Sequence, residues 1–155
     1  MPSSESEGAR RQAPPEPPPF RHGQVALIAS AHGFHDIFSG FLIPLLPLLI
    51  KRHSLSLTLA GSLTVLQRFP SLFNPLLGLL IDRLPLKPFV VLAPAVTAAT
   101  MSLIGVAPGY GSLAALLLLA GVSVAALHVP APVLVRENAG TQVGRGMSWF
   151  MVGGE

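Results

Sequence analysis

Gly78-Leu79-Leu80-Ile81-Asp82-Arg83-Leu84-Pro85-Leu86-Lys87 is the stretch that decides the fold. It is a short charged turn between two long apolar runs, residues 58–81 and 89–107. Crossing the hydrocarbon core of a bilayer takes about 20 apolar residues, and both runs are of that order. A soluble protein has little use for so short a turn between two such segments. In hydrocarbon no water bonds the backbone, and a helix satisfies its N–H and C=O groups internally. The stretch therefore predicts an all-α, polytopic membrane protein.

The rest of the composition agrees. Of 155 residues, 50% are hydrophobic and 11% charged, with a mean hydropathy of +0.60, whereas soluble domains carry about 25% charged residues. The net charge of +3 and pI near 10.2 do not point to nucleic acid. The cations stand at the ends of apolar segments, where they set membrane orientation, rather than along one binding face. There is no cysteine, which excludes disulfides and thiolate metal sites.

Residues 1–22 form a polar, proline-rich segment with Pro14, Pro15, Pro17, Pro18 and Pro19. Proline donates no backbone hydrogen bond, so a disordered cytoplasmic tail of polyproline II character is expected. Residues 23–155 form the transmembrane domain. The first span is placed at 24–50, with Pro44 and Pro47 kinking its outer half. The second is placed at 58–81, with Pro70 and Pro75 inside it, the third at 89–107, and the fourth at 113–135. In the fourth, Gly121 and Ala125 are a small pair four residues apart, suited to close helix contact. A last apolar run starts at Met147 and reaches Glu155 after about half of a span. Four transmembrane helices and the start of a fifth are expected, with the chain an incomplete fragment.

With the tail inside, the inner side holds Arg10, Arg11, Arg21, Arg83, Lys87, Arg136 and Arg145, and the outer side only Lys51 and Arg52. Seven cations against two place the N-terminus in the cytoplasm.

Polar groups stand out within the apolar runs. His32, His35 and Asp36 fall at i, i+3 and i+4 of the first span and share a helical face. An aspartate at mid-membrane costs roughly 2.5–3.5 kcal/mol on insertion scales, so it should turn inward to a partner. Gln67 and Arg68 lie near the middle of the second span, and His128 in the inner half of the fourth. At about 1.5 Å per residue, Asp36 is ~21 Å and Arg68 ~15 Å below the outer surface, a gap that a long arginine bridges. An Asp36–Arg68 pair is expected. These groups would line a cavity for protons and substrate. Alternatively, the pair merely ties two helices together.

Gly78, Asp82, Arg83 and Lys87, between the second and third spans, resemble the loop signature of major facilitator superfamily transporters. Pro85 and Leu86 stand where that signature usually has glycine and arginine. Within the superfamily, the run Ala31-His32-Gly33-Phe34-His35-Asp36-Ile37, His128 followed by prolines, and Arg136 closing the fourth span resemble the fosmidomycin-resistance type of drug exporter. The fourth span lacks the buried arginine of many proton antiporters in the superfamily. The resemblance implies part of the N-terminal six-helix half of a twelve-helix transporter. It also implies proton-coupled efflux of a drug or metabolite across the plasma or inner membrane. The remaining transmembrane helices and the lipid bilayer are the implied partners, and no cofactor is expected. In the family the charged turn is a cytoplasmic gate, here Gly78, Asp82, Arg83 and Lys87 with Arg136.

Two other classes fit the residues. An intramembrane metalloenzyme would use His32, His35, Asp36 and His128 as ligands, although the spans offer no further carboxylate as base before Glu155. A non-transporting membrane scaffold would need none of these groups. Transport is the expectation, and no enzymatic activity or bound metal is.

Overall fold

The computed structural model describes residues 18–81, 83 and 85–155. The tail through Pro17, Asp82 and Leu84 lie outside the described residues. Among the described residues all regular structure is helical.

The first expected span is two helices, α1 (His22–Gly40) and α2 (Leu42–His53), meeting at Phe41. The break falls one turn before Pro44. A proline ring collides with the carbonyl four residues back, here that of Gly40, and offers it no N–H. The Phe41 N–H turns to the Phe38 carbonyl instead, at 3.2 Å. Helix α2 ends at Ser54, whose φ of 50° is left-handed. Its last turn carries Lys51, Arg52 and His53, cations that suit the negative end of the helix dipole. The Arg52 guanidinium donates to the Gly105 carbonyl and pins this end to the outer end of the third span.

The second expected span is not one helix. It divides into α3 (Leu57–Arg68), a 3₁₀ turn (Phe69–Phe73) and α4 (Asn74–Ile81). Pro70 and Pro75 each lack the backbone N–H of a helical residue, and the tighter i→i+3 pattern takes over between them. Helix α3 and the 3₁₀ turn nevertheless pack along α6 (Tyr110–His128). Ser62 meets Tyr110 at 2.6 Å, the backbone of Gln67 abuts Gly121, and Leu77 and Leu80 share a groove with Ala125 and Val129.

Helix α5 (Leu86–Leu103) continues into a 3₁₀ turn, Ile104–Val106. Helix α6 starts at a turn in which the Ser112 hydroxyl donates to the Gly109 carbonyl at 2.7 Å. It runs through Val129 into α7 (Pro130–Ala139), and α8 (Val143–Gly154) follows. Among the described residues three helical stretches are long and apolar enough to cross a membrane: His22–His53, Leu86–Val106 and Tyr110–Ala139. The expected count of four plus the start of a fifth is not confirmed by these three.

Helix α1 lies between α5 and α8, and α6 lies between α3 and α5. Two apolar clusters form at opposite ends of the bundle. One joins Leu42, Leu49, Leu63, Met101, Leu113 and Leu117. The other joins Ile28, Val90, Leu127, Leu134, Val135 and Phe150. Large apolar side chains also cover the outside, among them Leu72, Leu79, Val91, Val106 and Val152. Such a surface in water marks a protein made for lipid or partner helices.

Residues 18–21, the end of the expected tail, lie against the α7–α8 turn. The Arg21 N–H donates to the Asn138 carbonyl at 2.9 Å. The Arg145 guanidinium stands 5.1 Å from the Phe20 ring centroid and 5.5 Å from that of Trp149.

Candidate polar site in the bundle interior

Between the two apolar clusters lies a polar layer. As their spacing predicts, His32, His35 and Asp36 share the inward face of α1. The last residue of α6, His128, meets them there. The Nε2 atom of His32 is 3.1 Å from Asp36 Oδ2 and 3.1 Å from His128 Nε2. His128 Nε2 is 3.5 Å from Asp36 Oδ1.

The backbone fixes the tautomers. His32 Nδ1 is 2.8 Å from the carbonyl of Phe150 on α8. His128 Nδ1 is 2.9 Å from the carbonyl of Val124, one turn earlier in its own helix. A carbonyl only accepts, so each Nδ1 carries hydrogen, and in neutral imidazole Nε2 is then a bare lone pair. Two lone pairs and a carboxylate therefore converge. Such a trio holds together only around a shared proton or another cation. The His32 ring is clamped on its other side by stacking on Phe150, centroids 4.0 Å apart. His35 is fully buried and edge-on to His128, centroids 5.6 Å apart. Among the described residues neither of its ring nitrogens has a hydrogen-bond partner.

The expected Asp36–Arg68 pair is not formed. Asp36 takes its partners from one turn below and from the end of α6, both nearer than the arginine. Arg68 closes α3 just before the 3₁₀ turn and is exposed. It shares a pocket of about 460 Å³ with Asp36, Ser39, Thr64, Gln67 and His128. The Gln67 side-chain amide donates to the Ser39 carbonyl at 2.9 Å and so ties α3 to α1. A second polar bridge lies deeper: Thr97 donates to the Ser123 hydroxyl at 2.9 Å, and Ser123 to the Ala93 carbonyl at 2.7 Å. Sequence reasoning passed over this bridge, as well as Ser39 and Phe150. Ser123 and Thr97 carried a signal, as hydroxyls inside apolar runs. Phe150 acts through its carbonyl, which no side-chain pattern reveals.

The charged turn is only partly visible. The Arg83 N–H donates to the Leu80 carbonyl at 3.0 Å, and Arg83 and Lys87 are exposed. Asp82 lies outside the described residues. Among the described residues nothing lies within 4 Å of a Cβ placed on Gly78. Arg136 lies on α7, in a pocket with Pro18 and Gly140. Close contact occurs instead at Gly121, where an added Cβ would strike the Gln67 carbonyl and Pro70.

An apolar helical bundle with a buried polar layer defines an integral membrane protein. The family model of the Major Facilitator Superfamily matches residues 28–155, and the chain belongs to that superfamily. No curated protein and no solved structure matches the chain. Family membership carries a small-molecule substrate and a bilayer environment with it, and speaks for transport rather than catalysis.

Proposed function

We propose that this chain belongs to a proton-coupled exporter of a drug-like or metabolite molecule, residing in the plasma or inner membrane with its N-terminus cytoplasmic. The observation that carries the reading is the pocket of about 460 Å³ where Asp36, Gln67, Arg68 and His128 face one space inside an otherwise apolar bundle. Intramembrane ionisable groups are costly, and in transporters they mark substrate and proton paths. His32, Asp36 and His128 take the coupling cation, and His35 packs behind them. Gln67 and Arg68, on the open side, contact substrate. The broken segment α3–α4 counts as a span, since α3 and the 3₁₀ turn pack along α6, and α8 starts a fifth. Broken helices lining a midplane site are a recurrent device of secondary transporters. The turn from Gly78 to Lys87, with Asp82 and Arg136, gates the cytoplasmic side. Orientation is supported by the fold. Arg21, Arg83, Lys87, Arg136 and Arg145 gather at the end of the bundle holding Ile28 and Leu134. Lys51 and Arg52 lie at the other end.

The experiment is proton-driven transport of a panel of drug-like cations and metabolites in membrane vesicles carrying the protein. Asp36→Asn should stop uptake while membrane abundance stays near wild type. Wild-type transport by Asp36→Asn, or transport indifferent to collapse of the proton gradient, would overturn the reading.

A further inference from the structure

We infer that His32 Nε2, His128 Nε2 and the Asp36 carboxylate form a binding site for a divalent transition-metal ion of the zinc class. The inference needs only the geometry of the three groups, not their role in coupling.

Three observations carry it. The first is spacing. Zinc binds imidazole nitrogen and carboxylate oxygen at about 2.0–2.2 Å in tetrahedral geometry, which sets neighbouring ligand atoms about 3.3–3.5 Å apart. The two Nε2 atoms are 3.1 Å apart, and the carboxylate stands 3.1 Å from His32 through Oδ2 and 3.5 Å from His128 through Oδ1, so a small turn of the carboxylate brings one oxygen to both. The ligand atoms of all three residues lie within 4.8 Å of one another. The second is the outer shell. A metal-binding histidine typically donates its other ring N–H to a carbonyl or carboxylate, which turns the free lone pair toward the ion. Both histidines do so, to Phe150 and Val124. The third is that, with both imidazoles neutral and their Nδ1–H groups bound to carbonyls, none of the converging atoms is a donor. A dication would replace the mutual repulsion of two lone pairs and a carboxylate with three bonds.

Two imidazoles and one carboxylate suit zinc, cobalt or nickel better than magnesium or calcium, which favour all-oxygen shells. Three protein ligands leave a fourth position. Asp36 and His128 both line the polar pocket, so that position opens where a substrate or water would sit. The bound ion would also lock α1 to α6, and through the Phe150 carbonyl would hold α8 against both. A proton and a metal would occupy the same lone pairs and exclude each other. Bound metal should therefore arrest proton-coupled transport, a consequence that rests on the function proposed above.

The direct test is cobalt(II) titration of the full chain in zwitterionic nanodiscs, followed by its visible d–d bands, with zinc(II) as competitor. The expected result is one ion per chain with the strong absorption of tetrahedral cobalt, displaced by zinc. Asp36→Ala and His128→Ala should each weaken binding by at least about 100-fold, the upper end of what loss of an outer-shell partner costs. His128→Cys keeps a ligand atom and should bind with an added sulfur charge-transfer band, which guards against loss of folding in the alanine variants. His22→Gln and His53→Gln should leave the titration unchanged. No binding by wild type, an octahedral spectrum, or binding indifferent to Asp36→Ala would overturn the site. Tight binding with no effect on transport would overturn only the proposed arrest. Normal transport by Asp36→Asn would overturn the coupling reading and leave the metal titration as it is.

Discussion

Gly121→Ala should destabilise the bundle, although alanine is the best helix former and Gly121 lies inside α6. A methyl group at that Cα would overlap the carbonyl of Gln67 and reach 3.0 Å from Pro70 Cδ. Both obstacles are rigid: one is backbone, the other a ring. Neither rotates away, so α6 must withdraw from the 3₁₀ turn. Overpacking of this kind costs typically 1–3 kcal/mol, and with backbone as the obstacle the upper end, about 3 kcal/mol, applies. That is roughly a 100-fold fall in the folded-to-unfolded ratio. Gly61→Ala is the matched control. Gly61 lies inside α3 with nothing within 4 Å of the added methyl, so the substitution should stabilise by about 0.5–1 kcal/mol through helix propensity alone. The assay is equilibrium unfolding in mixed micelles with rising dodecyl sulfate, followed by helical circular dichroism. Wild-type stability in Gly121→Ala, or an equal loss in Gly61→Ala, would refute the close contact between α6 and the 3₁₀ turn.

Gly33→Ala should separate α1 from α8, because its methyl would strike the Gly153 backbone; a change in the His32 ring NMR signals would report the weakened bond to Phe150. Ser123→Ala should cost about 1–3 kcal/mol in the same unfolding assay, since it leaves the buried Thr97 hydroxyl without its acceptor; an unchanged midpoint would show the bridge to be idle. Reporters at Ala139 and Arg10 should be reached only from the cytoplasm, and reporters at His53 and Tyr110 only from outside. Cytoplasmic access to His53 would invert the orientation drawn from the cations.

Much of this architecture was legible in the sequence because apolar length and helical spacing are local properties. The shared face of His32, His35 and Asp36 needed only the 3.6-residue period, and Gly121 declared itself by its lack of a side chain in an apolar run. Partner choice was not legible. Depth along two helices brings Asp36 and Arg68 to similar levels, but depth says nothing of rotation about each axis. The rotation is set by close contacts such as Gly121 against Gln67, and it brings His128 to the carboxylate. The break in α3–α4 was half legible. Pro70 and Pro75 were visible as kinks, but whether a kink stays helical depends on what packs beside it, and here Gly121 admits the irregular backbone.

The prolines and the polar pocket are one design. A proline leaves the carbonyl four residues before it without its helical donor. Pro44, Pro47, Pro75 and Pro132 do this to Gly40, Ile43, Ser71 and His128. All four of those residues line the pocket that holds Asp36 and Arg68. Ser71 recovers a donor through the tighter bond from Asn74. Irregular backbone at membrane depth is tolerated where it borders a cavity that water or substrate can enter. Proline placement therefore adds backbone acceptors to a site whose side chains already include a carboxylate, an arginine and two imidazoles, counting His32 behind the pocket wall. The breaks at Phe41 and residues 69–73 and the joint at Val129 flank one level of the bundle, between its two apolar clusters. Regular helix at the two ends supplies the rigid walls, and the interruptions between them supply polarity where the hydrocarbon would otherwise admit none.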